Sequence, residues 1–243
     1  MLDFMHLTIL VGAVFLGGVV SGFAGFAFSA VAGAILLHFF DPILIIPLMM
    51  TCSVISQTVS LFALRTSVRL RSATPFLLAG VLGLPPAIYL LTFLNPHAFR
   101  MFFGLLLAAY SAYSLTRSAR AVLTTDARLS QCAVGFLGGF VGGLTAMPGV
   151  AVAIWCELRG LPKNDQRALV LPFILIMQTL GIGLLFWRNG EMPQDFIKAM
   201  LAALPALAVG TYVGIGLFGR SNDKAFRISV LVLLFTSGCL MLA

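Results

Sequence analysis

The sequence predicts an all-α membrane protein: a polytopic helical bundle of two inverted repeats, residues 1–120 and 121–243, each a broken or re-entrant glycine-rich hairpin plus three transmembrane helices. Three observations predict it. The chain is 60% hydrophobic and only 9% charged, with a mean hydropathy of +1.06, whereas a soluble domain carries about 25% charged residues. A glycine-rich stretch occurs twice, each time inside an apolar run too long for one membrane crossing and too short for two. The Lys and Arg residues divide so unevenly between alternate loops that they discriminate between topologies.

In chain order, the first glycine segment is Gly17-Gly18-Val19-Val20-Ser21-Gly22-Phe23-Ala24-Gly25, inside the apolar residues 4–40. The opening MLDFMHLTIL has no Lys or Arg and no small-residue cleavage site, so this run is read as a membrane element and not as a removed signal. Runs of membrane-spanning length, about 20 residues, follow at 43–64, 75–94 and 99–116. The second glycine segment, Gly138-Gly139-Phe140-Val141-Gly142-Gly143-Leu144-Thr145-Ala146-Met147-Pro148-Gly149, lies inside residues 131–156, and runs at 168–187, 197–218 and 226–242 complete the chain. Pro42, Pro75, Pro96 and Pro162 fall near run boundaries, where a missing N–H is tolerated.

Charge decides how the glycine segments cross. If each crosses once, the basic residues divide eight against seven, which carries no orientation signal. If each folds back on itself, Arg65, Arg69, Arg71, Arg117, Arg120, Arg128, Arg159, Lys163, Arg167, Arg220, Lys224 and Arg227 share one side, opposed only by Arg100, Arg188 and Lys198. Twelve against three selects the fold-back, as a re-entrant hairpin or as two short full spans. Both termini of a protein in the cytoplasmic (inner) membrane then lie outside the cytoplasm, with the first hairpin opening outward and the second inward.

The chain also repeats itself. Asn95-Pro96-His97-Ala98-Phe99-Arg100 recurs as Asn222-Asp223-Lys224-Ala225-Phe226-Arg227, and Gly83 meets Gly210 at the same offset of 127. Gly18, Gly22 and Gln57 meet Gly139, Gly143 and Gln178 at an offset of 121. A hairpin and three spans per half is an odd count, so the halves oppose each other across the membrane.

Several function classes are excluded. The net charge of +7 is spread in short clusters between apolar runs, which is not a nucleic-acid surface. Cys52, Cys132, Cys156 and Cys239 are scattered without ligand spacing, so no metal or cofactor is expected. No HExxH, no GxSG and no pair of deep carboxylates points to an intramembrane enzyme.

A duplicated, broken apolar segment is what a membrane transporter carries where it holds its solute at mid-depth. Glycines together with Pro148 interrupt a helix and leave N-termini whose free N–H groups and partial positive charge suit an oxyanion. The candidate contacts are Ser21, Gly22, Gly25, Ser29, Gly142, Gly143, Thr145, Pro148 and Gly149, with hydroxyl donors at Ser21, Ser29 and Thr145. The competing reading is that small residues at this spacing only let helices approach closely. Thr51, Ser53, Ser56, Gln57, Thr58 and Ser60 cluster within one run, and Gln178-Thr179 occupy the equivalent place in the second half. Amides inside a bilayer face a partner or a water-filled path, so Gln57, Gln178 and Thr179 are solute candidates or interhelical bonds. His38 and Glu157 end the two glycine-rich runs, as interfacial groups or as proton or gating groups. Arg167 starts a span, as a topology anchor or as a gating and anion-guiding residue. No Arg or Lys is placed deep in any run, so backbone dipoles and hydroxyls are expected to hold an anion.

The second-half stretch GGFVGGLTAMPGVAVAIWCELRGLPKNDQRALVLPF resembles the signature of the TauE/SafE family of membrane permeases, including Pro162 and the pair Arg167-Ala168. SGFAGFAFSA, Asp41-Pro42 and Gly83-Leu84-Pro85-Pro86 in the first half are similar to that family too. The resemblance implies transport of a small sulfur-containing anion such as sulfite or an organosulfonate, usually by export and sometimes by uptake. Ala146 stands where the family commonly has glycine, Val150-Ala151 replaces a frequent proline pair, and a TNK-like triplet is absent after Pro47. With the cytoplasm negative, exporting one negative charge is worth about 2.3 kcal/mol per 100 mV, so alternating access needs no ATPase. Proton coupling and a homodimer are both compatible with the chain. The alternative function is a structural or assembly membrane protein without transport.

Overall fold

Proline and glycine set the helix ends, and apolar faces set what each helix packs on. The computed structural model describes residues 4–64, 70–90, 96–116, 128–190 and 195–242; the loop cations Arg65, Arg69, Arg117 and Arg120 used in the charge count lie outside them. Ten helices and no strand are present among the described residues: α1 Phe4–Ala24, α2 Phe28–Phe39, α3 Pro42–Ala63, α4 Leu70–Leu90, α5 Pro96–Thr116, α6 Arg128–Thr145, α7 Gly149–Leu158, α8 Lys163–Asn189, α9 Phe196–Arg220 and α10 Asp223–Leu242. The start of α3 shows the local logic. The Asp41 carboxylate accepts from the Ile43 N–H at 2.8 Å, and Pro42 occupies the first turn, where its missing donor costs nothing.

Among the described residues, five helices are long and apolar enough to cross a membrane: α1, α3, α4, α8 and α9. The expected runs at 99–116 and 226–242 form α5 and α10, which pack on each other where Gly238 meets Gly104 and Ala108. Each glycine segment is a long limb and a short one. The long limb α1 has 21 residues, about 31 Å at 1.5 Å per residue, so it is itself of spanning length, while α2 has 12.

Both segments fold back. Gly17 of α1 lies against Phe28 and Ala32 of α2, and the His6 and Phe40 rings sit 5.4 Å apart, so the end of α2 returns to the start of α1. In the second segment Gly138 faces Pro148, and Gln131 near the start of α6 shares a surface recess with Arg159 at the end of α7.

Two crossings tie these hairpins to the rest, and in both the helices touch backbone to backbone. Gly18 and Gly22 of α1 meet Leu207 and Thr211 of α9, while Gly210 and Gly214 of α9 meet Phe15 and Val19 of α1. Gly135 and Gly139 of α6 meet Phe76 and Gly80 of α4 in the same way, and Gly83 of α4 meets Phe136. Residue numbers rise together on both partners, so each crossing is parallel. Glycine at four-residue spacing is what permits such approach. The main packing pairs also correspond between halves: α1 with α9 and α6 with α4, α1 with α2 and α6 with α7, α2 with α3 and α7 with α8, with α3 on α8 and α5 on α10. Outward faces are apolar, for example Leu78 and Leu82 of α4 and Leu201 and Tyr212 of α9, as a lipid solvent requires.

A Cβ at Gly139 would overlap the Gly80 carbonyl, whereas nothing lies within 4 Å of one at Gly216. Gly139→Val is expected to cost more than about 4 kcal/mol, the scale of the most damaging single substitutions, and to yield little folded protein. Gly216→Ala should be neutral or stabilising by about 1 kcal/mol. Thermal unfolding of the purified chain in detergent checks both.

Candidate functional site: a cavity where two helix breaks meet

The limbs of each hairpin are joined by left-handed backbone. At the first break the Gly25 N–H donates to the Ser21 carbonyl at 2.8 Å, and Gly25 (φ 79°) and Ala27 (φ 68°) turn the chain into α2. At the second the Ala146 N–H donates to the Gly142 carbonyl at 2.8 Å, with Ala146 at φ 58° before Pro148 and α7. Gly25 and Ala146 are related by the same offset of 121 as the glycines and glutamines. A left-handed alanine costs about 1–2 kcal/mol that glycine avoids.

Neither short helix is capped by a side chain. Ala27 stands at the N-cap of α2 and Pro148 at that of α7, and neither makes a capping bond. The first N–H groups of a helix have no intrahelical acceptor, and each N-terminus carries a partial charge of roughly +0.5.

Both breaks line one small cavity of about 10 Å³. Ala27, Phe28 and Ser29 face it from the first break, Ala146 to Val150 from the second, and Ser53, Ile174 and Gln178 from α3 and α8. The Gln178 amide donates to the Ala146 carbonyl at 2.9 Å. Its Oε1 and the buried Ser29 Oγ have no hydrogen-bond partner among the described residues. Unpaired polar atoms at such a place are costly.

A polar face of α3 continues from this cavity. Ser53, Ser56, Gln57 and Ser60, at helical spacing, are all buried. The Ser56 hydroxyl donates to Ser21 Oγ at 2.9 Å, the Gln57 amide donates to the same oxygen at 3.1 Å, and Thr211 donates to Ser56 Oγ at 3.1 Å. One network thus joins α1, α3 and α9.

No Arg or Lys lies deep in an apolar run, yet Arg167, at the start of one, is buried to 1% exposure. It sits in the second turn of α8, at the end of the helix as the sequence places it, but the first hairpin packs over it. Its Nη2 donates to the Gly22 carbonyl, its side chain lies against Gly25, and its Cζ is 4.1 Å from the Phe218 ring centroid. Burial here arises from the first hairpin in the opposite half and from Phe218 on a distant helix of its own half, which a linear apolar run does not reveal.

Residues 10–241 match the sulfite exporter TauE/SafE family. The chain belongs to the TauE/SafE family. No curated protein and no solved structure matches it. TauE/SafE proteins are sulfite and organosulfonate exporters, so transport and a multi-pass membrane setting hold for this chain at family level.

Within this TauE/SafE fold the expected site residues separate. Ser29, Pro148, Gly149 and Gln178 line the cavity, and Ser21 and Gln57 form the network beside it. Gly25 supplies the first left-handed turn. Gly22 is pressed into the α1/α9 crossing, Gly143 faces Ala87 of α4, and Gly142 faces Pro148. Thr145 donates back to the Val141 carbonyl at 2.7 Å, and Thr179 is exposed. Glu157 pairs with Arg227 at 2.8 Å and receives the Ser114 hydroxyl at 3.3 Å, while His38 is exposed. Sequence reasoning did not place Ser53 or Ile174 at the site. Their equivalence at the offset of 121, one turn before Gln57 and Gln178, was the available signal.

Opposite outcomes are expected at the two equivalent turns. Ala146→Gly relieves the left-handed alanine and should stabilise by about 1 kcal/mol. Gly25→Ala adds strain at φ 79° and a Cβ 3.0 Å from Arg167 Cγ and Nε, and should destabilise by at least that amount. Melting midpoints of the two variants, read beside the parent chain, decide this.

Proposed function

We propose that the chain is a secondary permease that moves a small sulfur-containing anion, such as sulfite or an organosulfonate, out across the cytoplasmic membrane by alternating access. The carrying observation is the convergence of two uncapped helix N-termini, from α2 and α7, on one cavity lined by Ser29 and Gln178. Two positive dipole ends and a hydroxyl donor suit the oxygens of a sulfite or sulfonate group, and small residues let them come close. Family membership supplies the sulfur chemistry.

In this reading residues 1–120 and 121–243 are inverted repeats. The paired parallel crossings, the corresponding packing of the halves and the twelve-to-three division of basic residues support it. Both termini lie outside the cytoplasm, and the inward-opening hairpin is α6–α7. A cavity of about 10 Å³ has room for roughly one water, so the halves move apart to admit an anion. Thr51 and Thr58 donate to carbonyls of their own helix, leaving the buried face of α3 to carry solute contact.

The test is flux in proteoliposomes with sulfite, an organosulfonate and chloride, with and without a pH gradient. Sulfite or sulfonate flux above chloride is expected, and the gradient arm reports proton coupling. Gln178→Ala should weaken apparent affinity by about tenfold, the loss of one buried polar contact, with a smaller change in maximal rate. Absence of flux for every sulfur anion in correctly folded protein would sink the proposal.

A further inference from the structure

Arg167 is a charged side chain that is costly to bury. Its guanidinium has five N–H donors, yet only Nη2 has an acceptor, the Gly22 carbonyl, while Nε and Nη1 have none among the described residues. The group is buried to 1% exposure, and arginine keeps its charge at neutral pH. Phe218 covers one face at 4.1 Å, which leaves the guanidinium edge as its recognition surface. A buried cation without a counter-ion is strongly disfavoured, and among the described residues no carboxylate pairs with it. Such an arrangement is expected where the missing partner is a ligand.

The position supports this. The Nε atom and the Cγ and Cδ methylenes of Arg167 pack against the Cα of Gly25, so that a Cβ at Gly25 would lie 3.0 Å from Nε. Gly25 is one of the two left-handed residues of the first break, two residues before the N-cap of α2, and Ala27 and Ser29 of that break line the central cavity. Arg167 itself belongs to α8 in the second half. Its equivalent at the offset of 121 is Ile46, so the second break receives no such cation and the site is asymmetric.

We infer that Arg167 is a substrate-binding residue, whose unpaired Nε and Nη1 groups take anion oxygens and whose Nη2 bond to the Gly22 carbonyl holds the two halves together until the anion displaces it. A two-oxygen fork then forms on the Nε–Nη2 or Nη1–Nη2 edge. The inference rests on the anion-permease reading. It adds a bidentate ligand and a link between binding and movement: an anion shared between Arg167 of the second half and the first break replaces a direct bond between halves.

The test is the thermal unfolding of the full-length chain in detergent, titrated with sulfite against chloride, beside sulfite flux in proteoliposomes. Sulfite should raise the midpoint of the parent chain. Arg167→Met removes the uncompensated charge at similar volume, so its midpoint without anion should equal or exceed that of the parent chain, while the sulfite shift and flux are lost. A purely structural arginine would give a lowered midpoint and an intact sulfite shift, and that result overturns the inference. Arg167→Lys keeps the charge but not the fork, and its half-saturating sulfite concentration should rise by about 10- to 100-fold. If Arg167→Met yields no folded protein, Arg167→Lys decides alone, and parental affinity in it refutes the assignment. A parent chain that responds to no sulfur anion overturns the permease reading and this inference together. Parental flux with unchanged affinity in both variants overturns this inference only.

Discussion

A helix interrupted inside a bilayer leaves amide and carbonyl groups that lipid cannot satisfy, so an interruption survives only where protein surrounds it. This chain carries two, at Gly25 and Ala146, and much of the architecture encloses them. Each hairpin is covered on one flank by a long helix from the other half, α9 over α1 and α4 over α6. The enclosure is tight because glycine meets carbonyl at both crossings. A single methyl at Gly22 or Gly139 would push a covering helix away and open the break to lipid.

The same constraint explains which polar groups lie inside. Serines and Gln57 on one face of α3 bond to Ser21 and, through Ser56, to Thr211, while Gln178 satisfies the carbonyl of Ala146 at the other break. Of these, the Gln178 amide bonds the broken backbone itself, while the α3 network ties the Ser21 side chain, at the end of α1, to α3 and α9. Ser29 Oγ, Gln178 Oε1 and two nitrogens of Arg167 remain unsatisfied at or beside the two breaks, and among the described residues His6 Nδ1, Gln57 Oε1, Ser60 Oγ and Trp155 Nε1 are unsatisfied as well. The proposed anion site is built from the unpaired groups nearest the two breaks.

Membership of a transporter family and a helical membrane fold were legible because they depend on composition and on motifs contiguous in the chain. The breaks were legible too: Gly25 and Pro148 are residues that bend or end helices at any depth. Ala146 was visible only as a departure, an alanine where the family signature has glycine, and its left-handed φ of 58° shows that the turn is kept despite the side chain. Gly22 and Gly143 illustrate the limit of local reading. Their pattern suits both close packing and solute approach, and their neighbours, Thr211 and Ala87, come from helices far along the chain.

The sequence by itself determined a membrane-embedded helical bundle, the two interruptions with their offset of 121, and a distribution of positive charge that favours fold-back segments. These follow from the solvent preference of each residue and from backbone rules that act over a few positions. Only the tertiary structure decided that the two breaks share one cavity, that Thr179 faces outward while Gln178 faces in, and that Arg167 is buried against Gly22 and Gly25. The reason is physical. Burial of a side chain at a helix end is a property of what packs over it, and here the covering segment lies more than a hundred residues away in the other half of the chain.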